Sequence, residues 1–220
     1  MRPRKKSLWF QCGRYFARTI KREDASDRWA SWLSDPSTIQ VLNTSPKKLQ
    51  KSDISEYIKQ FDQRSRLLLG IFERGTRIHI GIIRIDIDYA KNEAIVNAVI
   101  GEPEHRNRGA TADTFVPTLN YLFDVAGVNK VKASVLQRNH VTLNYLLKAG
   151  WQIDQVPEHK VKSSLDGTML GVVSVSYTRE AYRTWKQSNV GRRILARINS
   201  AESARAAHAP VMNVKTAASE

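Results

Sequence analysis

Residues 94–125 limit the choice of fold more than any other part of the sequence. An apolar, strand-like run at residues 94–100 leads into Arg106-Asn107-Arg108-Gly109-Ala110-Thr111, and a helical pattern occupies residues 112–125. A glycine turn that joins a strand to a helix directs unpaired N–H groups and the positive end of the helix dipole at one point. Two arginines add donors suited to phosphate oxygens. The stretch therefore predicts a site for a pyrophosphate-bearing cofactor, with ordinary turn chemistry as the alternative.

The segments around this turn predict a mixed sheet. Three strand patterns end at residue 100 and are separated by turns at residues 73–76 and 89–92, which indicates an antiparallel meander. Another strand pattern follows the helix at residues 130–136. A strand, a helix and a strand in this order require a parallel, right-handed crossover. Ligands of open α/β sheets bind at the carboxyl ends of the strands, which is where the glycine turn lies.

The other patterns complete an α/β (α+β) architecture. We expect a mostly antiparallel sheet of about seven strands, with one parallel crossover and about four helices. The early helix should stop at Ser34-Asp35-Pro36, and Ser52 or Asp53 should cap the second helix. The remaining elements are a first strand at residues 15–20, a short helix at residues 140–149, closing strands at residues 151–157 and 169–177, and a last helix from about residue 181.

The net charge of +14 is concentrated at the two ends of the chain. Residues 1–22 contribute +8 and residues 186–220 contribute +4, which leaves +2 for the middle. We therefore divide the chain into a basic, flexible arm (1–13), one domain (14–186) and a basic tail (187–220) that is partly helical or disordered. Solvated tails are the favoured interpretation of the basic ends, and contact with nucleic acid is the lesser one.

Composition also narrows the class of protein. No run approaches the roughly 18 apolar residues of a membrane span, and the first residues lack the apolar centre of a secretory signal. A single cysteine, Cys12, excludes an internal disulfide and a zinc-binding cysteine cluster. The histidines lack the i, i+4 spacing of a metal pair, so we predict no metal site. We expect a soluble, cytoplasmic protein.

The order of elements and three short motifs resemble the GNAT (Gcn5-related) N-acetyltransferase family over about residues 14–180. Arg106-x-x-Gly109-x-Thr111 is similar to the family's pyrophosphate loop, although Thr111 stands where Gly or Ala is usual. The segment from Asn139 and Thr142 to Trp151 resembles the family's Asn-x-x-Ser segment that ends in an aliphatic residue, Gly and Phe. Residues 32–36 (WLSDP) are similar to a signature of the branch with ribosomal-protein N-terminal and amino-sugar acetyltransferases.

The resemblance implies that acetyl-CoA is the cofactor. The pyrophosphate would lie against the backbone N–H groups of the turn, with both arginines neutralising it. Val99 and Ile100 would offer backbone groups to the pantetheine arm, as an added strand would, and a backbone N–H there would polarise the thioester carbonyl. The complete set of implied cofactor-binding residues is Val99, Ile100, Arg106, Asn107, Arg108, Gly109, Ala110, Thr111, Asn139 and Thr142.

The resemblance further implies direct acetyl transfer to a primary amine, such as an amino-sugar nucleotide, a protein N-terminus or a similar small amine. Glu93 and Glu102, at the two ends of the fourth strand, are the candidate bases, each acting directly or through water. Leu146 replaces the tyrosine that acts as general acid in many members, so a non-catalytic module that senses CoA or docks on nucleic acid is the alternative. A homodimer is a candidate assembly. The candidate substrate contacts are Trp32, Asp35, Asn43 and Thr44.

Overall fold

The meander and the parallel crossover are both present in the computed structural model, which describes residue 5, residues 7–155 and residues 159–206. The strands of its sheet are β1 (Trp9–Cys12), β2 (Tyr15–Thr19), β3 (Arg66–Glu73), β4 (His79–Asp88), β5 (Glu93–Ile100), β6 (Lys130–Leu136), β7 (Gln152–Ile153), β8 (His159–Lys162) and β9 (Met169–Thr178). The helices are α1 (Asp27–Ser31), α2 (Pro36–Leu42), α3 (Lys51–Lys59), α4 (Ala110–Asn120), α5 (His140–Lys148), α6 (Arg179–Gln187) and α7 (Asn189–Ala206). This confirms the predicted mixed, mostly antiparallel fold.

The strands lie in the order β1-β2-β3-β4-β5-β6-β9-β7, and β8 also pairs with β9. Strands β5 and β6 form the parallel pair, and their pairing extends only from Glu93 with Lys130 to Ile95 with Lys132. Beyond that point β5 still pairs with β4 up to Ile100, and β6 still pairs with β9 up to Leu136. The two strands therefore diverge toward their carboxyl ends. We call this wedge-shaped opening the splay.

Two apolar cores lie on opposite faces of the sheet. One contains buried residues of α1 and α3, such as Trp29 and Ile54, together with Leu68 of β3. The other contains Phe115 of α4 and Leu67 of β3, with residues from the later helices. Because alternate side chains of a strand point to opposite faces, a strand covered on both sides reads as a continuous apolar run, which explains the sequence of β3.

Several predicted boundaries were wrong. Four residues of the predicted flexible arm of residues 1–13 belong to the sheet, since Trp9–Cys12 is strand β1 and pairs with β2. The described residues contain nine strands and seven α-helices, rather than about seven and about four. The predicted strand at residues 151–157 contains β7 and extends to residues 156–157, which lie outside the described ones, and β8 was not predicted. Ser34-Asp35-Pro36 does end a helical segment, but it also begins α2.

The structure describes the predicted basic tail, residues 187–220, as far as residue 206. The described part of the predicted tail is helical, and its Ile198 is buried, in a helix that contacts β1 and α4. The rest of that tail, residues 207–220, lies outside the described residues.

Among the described helices, none is long and apolar enough to span a membrane.

Candidate functional site

The turn before α4 has the geometry that its sequence predicts. Gly109 adopts a left-handed conformation (φ 83°) and occupies the N-cap position, and Asn107 is also left-handed (φ 57°). The first hydrogen bond of the helix runs from the N–H of Asp113 to the carbonyl of Gly109, at 2.9 Å. The N–H groups of the preceding helical residues therefore have no acceptor within the helix and point out of its end. Asn107 and Arg108 are exposed beside them.

The side chain of Arg106 is engaged away from this helix end. Its Nε donates to the carbonyl oxygen of Ile100 at 3.0 Å, and its Nη2 donates to the carbonyl oxygen of Gly101 at 2.8 Å. Nη2 also lies 2.8 Å from Oδ2 of Asp35 and 2.6 Å from the hydroxyl of Thr38. Arg106 thus joins the end of β5 to the start of α2. Of the two arginines in the turn, Arg108 has the exposed side chain.

Asp35 forms the other half of this junction. Its carboxylate caps α2 by accepting the N–H of Thr38 at 3.0 Å, and it also accepts the hydroxyl of Ser37 at 2.6 Å. Partial burial would raise the pKa of Asp35, but the hydrogen bonds from Ser37, Arg106 and Thr38 outweigh it and hold this pKa well below its ordinary value. Asp35 is therefore a fixed anion whose Oδ2 accepts all of these hydrogen bonds.

Glu102 follows β5 directly and is 8% exposed. Its Oε1 accepts the indole N–H of Trp32 at 2.9 Å, and its Oε2 lies 3.5 Å from Nη1 of Arg28. The indole is packed tightly against Gly101, where an added Cβ would stand 1.9 Å from a ring atom. The structure therefore brings a carboxylate, a tryptophan and the end of β5 together beside the splay.

Glu93 lies at the opposite end of the same strand. It pairs in register with Lys130, where β5 and β6 are still joined, and its Oε2 is 2.6 Å from Nζ of Lys132. An eight-residue strand is about 23 Å from its first to its last residue. The two candidate bases are therefore not brought together, and Glu93 lies away from the splay.

Residues of α5 line the other side of the opening. Asn139 caps this helix, and its Oδ1 accepts the N–H of Thr142 at 3.2 Å. Leu146 is 4% exposed and belongs to the core. Burial, together with the charge of Asp113, raises the pKa of the neighbouring Tyr145 to about 12. The phenol of Tyr145 is thus protonated at neutral pH.

The predicted substrate contacts lie around α2. One of them, Asn43, bonds to two residues that the sequence does not indicate as its partners. The amide of Asn43 bonds to the turn between β8 and β9: Nδ2 donates to the carbonyl of Lys162 at 3.0 Å, and Oδ1 accepts the N–H of Ser164 at 3.0 Å. Thr44 follows, half-buried, with its N–H 3.4 Å from the carbonyl of Ile39. A left-handed asparagine after a helix is a weak sequence signal for such a contact, but it does not identify the partner.

The described residues also bear on metal chemistry. No three His, Cys, Asp or Glu side chains among them lie close enough together to hold a metal ion. His105, at the start of the turn, is 8% exposed and packs edge-on against Tyr15, with ring centroids 6.1 Å apart.

Comparisons with solved structures indicate how this fold is used elsewhere. Spermidine N-acetyltransferase from Vibrio cholerae, in complex with CoA and spermine, aligns over 77% of this chain and 98% of its own, with a TM-score of 0.67 and 16% identity. A ribosomal-protein-S5-alanine acetyltransferase from Vibrio fischeri aligns over 80% and 98%, with a TM-score of 0.66 and 14% identity. A dodecameric structure of the V. cholerae enzyme aligns over 77% and 96%, with a TM-score of 0.61 and 18% identity. At such identities the likeness establishes the fold alone.

Sequence comparison assigns the family. A comparison with curated protein sequences found no match. A family model described as the acetyltransferase (GNAT) domain matches residues 14–152, which is more than half of the chain. The members of this family use acetyl-CoA. Together with the splayed strands and the glycine turn, this match shows that the chain belongs to the GNAT acetyltransferase family.

Proposed function

We propose that this protein is an acetyl-CoA-dependent N-acetyltransferase that moves the acetyl group directly to a primary amine. One observation carries the proposal: the splay, the glycine turn and the Glu102 carboxylate all lie at the carboxyl end of β5. A ligand held along the open strand edge would therefore have an anion site at one end and a carboxylate near its reactive part.

The residues around the splay fit acetyl-CoA. Beyond Ile95, β5 pairs with no strand of the described residues on its β6 side, so Val99 and Ile100 lie on a strand edge that can pair with amide groups. The N–H groups at the start of α4 and the exposed Arg108 suit a pyrophosphate. Asn139 and Thr142 would lie on the opposite side. Acetyl-CoA, when bound, supplies the acetyl group as an activated thioester.

Glu102 is the residue that we assign as general base. A protonated amine with a pKa near that of lysine must lose its proton before it attacks, which costs about 1.4 kcal/mol for each pH unit below that pKa. Glu102 would accept this proton directly or through one water molecule. Trp32 and Arg28 hold its two oxygens, so the carboxylate is fixed in position before the amine arrives. Glu93 suits this role less well, because it is paired with Lys132 at the far end of β5.

Positioning should contribute more than proton transfer. Holding two reactants at near-attack distance is worth about 7–11 kcal/mol, whereas a general base contributes about 10²–10⁴-fold in rate. Because positioning and base catalysis suffice for direct transfer, the reaction needs no covalent intermediate on the protein. Its one cysteine, Cys12, is buried in β1.

The proposal also includes the class of amine that accepts the acetyl group. The comparison structures include an enzyme that acetylates spermidine and one that acetylates the alanine of a ribosomal protein. Both acceptors are primary amines, in agreement with direct transfer to an amine. We propose a small amine, an amino-sugar nucleotide or a protein N-terminus as the acceptor.

One observation favours a second function. Leu146 is buried in the core at the position where many relatives carry the acid tyrosine. A chain without a general acid could bind CoA as a sensor and release no product, or dock its basic ends on nucleic acid. Binding of mixed-sequence DNA that weakens steeply with added salt would support the docking form.

The test combines calorimetry with acetyl-CoA and a thiol-release assay over a panel of primary amines. We expect binding, and thiol release with at least one amine. Replacement of Glu102 by Gln should lower kcat/KM by about 10²–10⁴-fold while acetyl-CoA still binds, whereas the matched variant Glu93→Gln should stay near wild type. Binding without release for any amine would favour the sensor, and the absence of binding would refute both cofactor-based functions.

A further inference from the structure

Helix α2 bridges the open end of the splay, and it is attached to a strand on each side. At its start, Arg106 connects Asp35 and Thr38 to the carbonyl groups of Ile100 and Gly101 at the end of β5. The attachment is extensive, since one guanidinium reaches both elements. The amino end of α2 is therefore fixed to the β5 side.

The other end of α2 is attached to the β6 side. Arg138 lies two residues beyond the end of β6, and its Nη2 donates to the carbonyl of Gln40 in α2 at 2.6 Å. Thr38 and Ile39 of α2 are each only 2% exposed, so the helix is packed and not merely tethered. A helix of seven residues is about 10 Å long. Two strands with one strand position vacant between them would be about 9.6 Å apart, so a helix of this length can reach from one such strand to the other.

A third attachment joins α2 to the turn between β8 and β9. This hairpin projects past β6, because β9 begins at Met169 but pairs with β6 only from Val172. The side chain of Asn43 meets its tip with both polar atoms, donating to Lys162 and accepting the N–H of Ser164. The hydroxyl of Ser164 lies 3.4 Å from the same Oδ1. Helix α2 and the hairpin thus form a continuous cover, which we call the strap.

We propose that Asn43 and Arg138 determine specificity by holding this strap closed over the acceptor side of the splay. This inference rests on the proposed function, because it concerns which amines reach the thioester. A strap held closed narrows the path to the splay, so we expect it to admit an amine on an unbranched carbon chain and to hinder one with a branch next to its nitrogen. In this proposal the amide of Asn43 acts by fastening α2 to the hairpin.

The variant Asn43→Gly tests this role without straining the folded backbone. Asn43 has a left-handed backbone (φ 49°), so alanine would add strain, whereas glycine adopts this conformation freely and removes only the side chain. Asn92 offers a matched control, because it is also left-handed (φ 54°) but lies exposed in the turn between β4 and β5. Asn43→Asp retains the acceptor for Ser164 and loses the donor to Lys162, so it should give an intermediate result. Arg138→Met removes the second attachment at similar length.

Two measurements are made on each variant: amide hydrogen exchange of residues 36–44, and kcat/KM for n-butylamine and for its branched isomer sec-butylamine. We expect Asn43→Gly and Arg138→Met to speed exchange in α2 and to lower the preference for the unbranched amine by roughly tenfold, the fold-change equivalent to about 1.4 kcal/mol. Asn92→Gly should change neither quantity.

Unchanged exchange and unchanged preference in Asn43→Gly would overturn the inference. The inference would also be overturned if Asn43→Gly stays active and exchanges faster in α2 but keeps the wild-type amine preference. The strap would then open without affecting which amine is acetylated. A wild-type protein that acetylates no amine in the panel would refute the proposed function and this selectivity with it. Hydrogen exchange in the same samples would still show whether Asn43 fastens α2.

Discussion

Trp32 donates its indole N–H to Oε1 of Glu102 across 2.9 Å, although the two residues are seventy positions apart in the sequence. Both groups are buried, at 5% and 8% exposure. A buried carboxylate costs much free energy unless it is hydrogen-bonded or paired, and here it has both the indole and Arg28. The contact therefore holds the carboxylate in one orientation at the end of β5.

The variant Trp32→Phe should lower kcat/KM without abolishing binding of acetyl-CoA. Phenylalanine fills much of the same space but lacks the N–H, so the carboxylate loses a hydrogen bond worth about 1.5–3 kcal/mol. Activity should fall about 10- to 100-fold, measured as thiol release at saturating acetyl-CoA. Trp29→Phe is the matched control, since Trp29 is equally buried in the same cluster. An equal loss in both variants would assign the effect to packing alone.

Gly101 should tolerate no side chain. A Cβ at this position would stand 1.9 Å from Cδ2 of Trp32, whereas a Cβ at Gly75 would meet nothing within 4 Å. Gly101→Ala should therefore destabilise the protein by about 1–3 kcal/mol, as overpacked sites do, and displace the indole from Glu102. Urea denaturation of both variants measures this. A Gly101→Ala protein as stable as Gly75→Ala would show that the indole moves aside freely.

The sequence predicts the elements well and their connections poorly. The alternation in β3 to β5 and the glycine before α4 report local geometry, so these elements follow from pattern and topology. Contacts between residues that are far apart in the sequence leave no such pattern. Examples are Trp32 with Glu102 and Asn43 with Ser164, where the pairing depends on how helices and hairpins are arranged around the sheet.

Arg106 illustrates why a motif does not determine the role of a side chain. Its position in the turn suits a phosphate ligand, yet its guanidinium bonds to Asp35 and to two carbonyl groups. Arg106 and Asp35 belong to separate sequence motifs, and neither motif indicates that the other residue is its partner. The same applies to β1 and α7, whose burial depends on their contact with each other and with α4.

The two arginines of the turn should therefore respond differently to substitution. Arg108→Gln should weaken binding of acetyl-CoA by roughly tenfold at low salt, because an exposed cation beside the helix end is lost. Arg106→Gln should leave binding closer to wild type but lower stability by about 1–3 kcal/mol, since Asp35 loses its partner. Calorimetric titration and urea denaturation of both variants test this pair of outcomes. The opposite assignment would make Arg106 the phosphate ligand.

His79 gives the protein a pH-dependent stability. Its ring lies among aromatic side chains, 4.7 Å from Phe72 and 5.0 Å from Trp29 between centroids, with Nε2 2.9 Å from the carbonyl of Gly81. Burial lowers the pKa of His79 from 6.5 to about 4, and the nearby Asp24 opposes this only in part. The folded protein therefore holds this histidine neutral where the unfolded chain is protonated.

The stability that His79 contributes should be present above pH 6.5 and be lost as the pH falls toward 4, because only the unfolded chain binds the proton in that window. The expected loss is about 3 kcal/mol in the free energy of unfolding. His79→Phe keeps an aromatic ring against Phe72 and Trp29 but cannot titrate, so its stability should depend less steeply on pH. Urea denaturation at several pH values between 4 and 7 measures both slopes. The exposed His140 provides the control: His140→Gln should keep the wild-type slope, and a wild-type slope in His79→Phe would assign the acid sensitivity to the carboxylates instead.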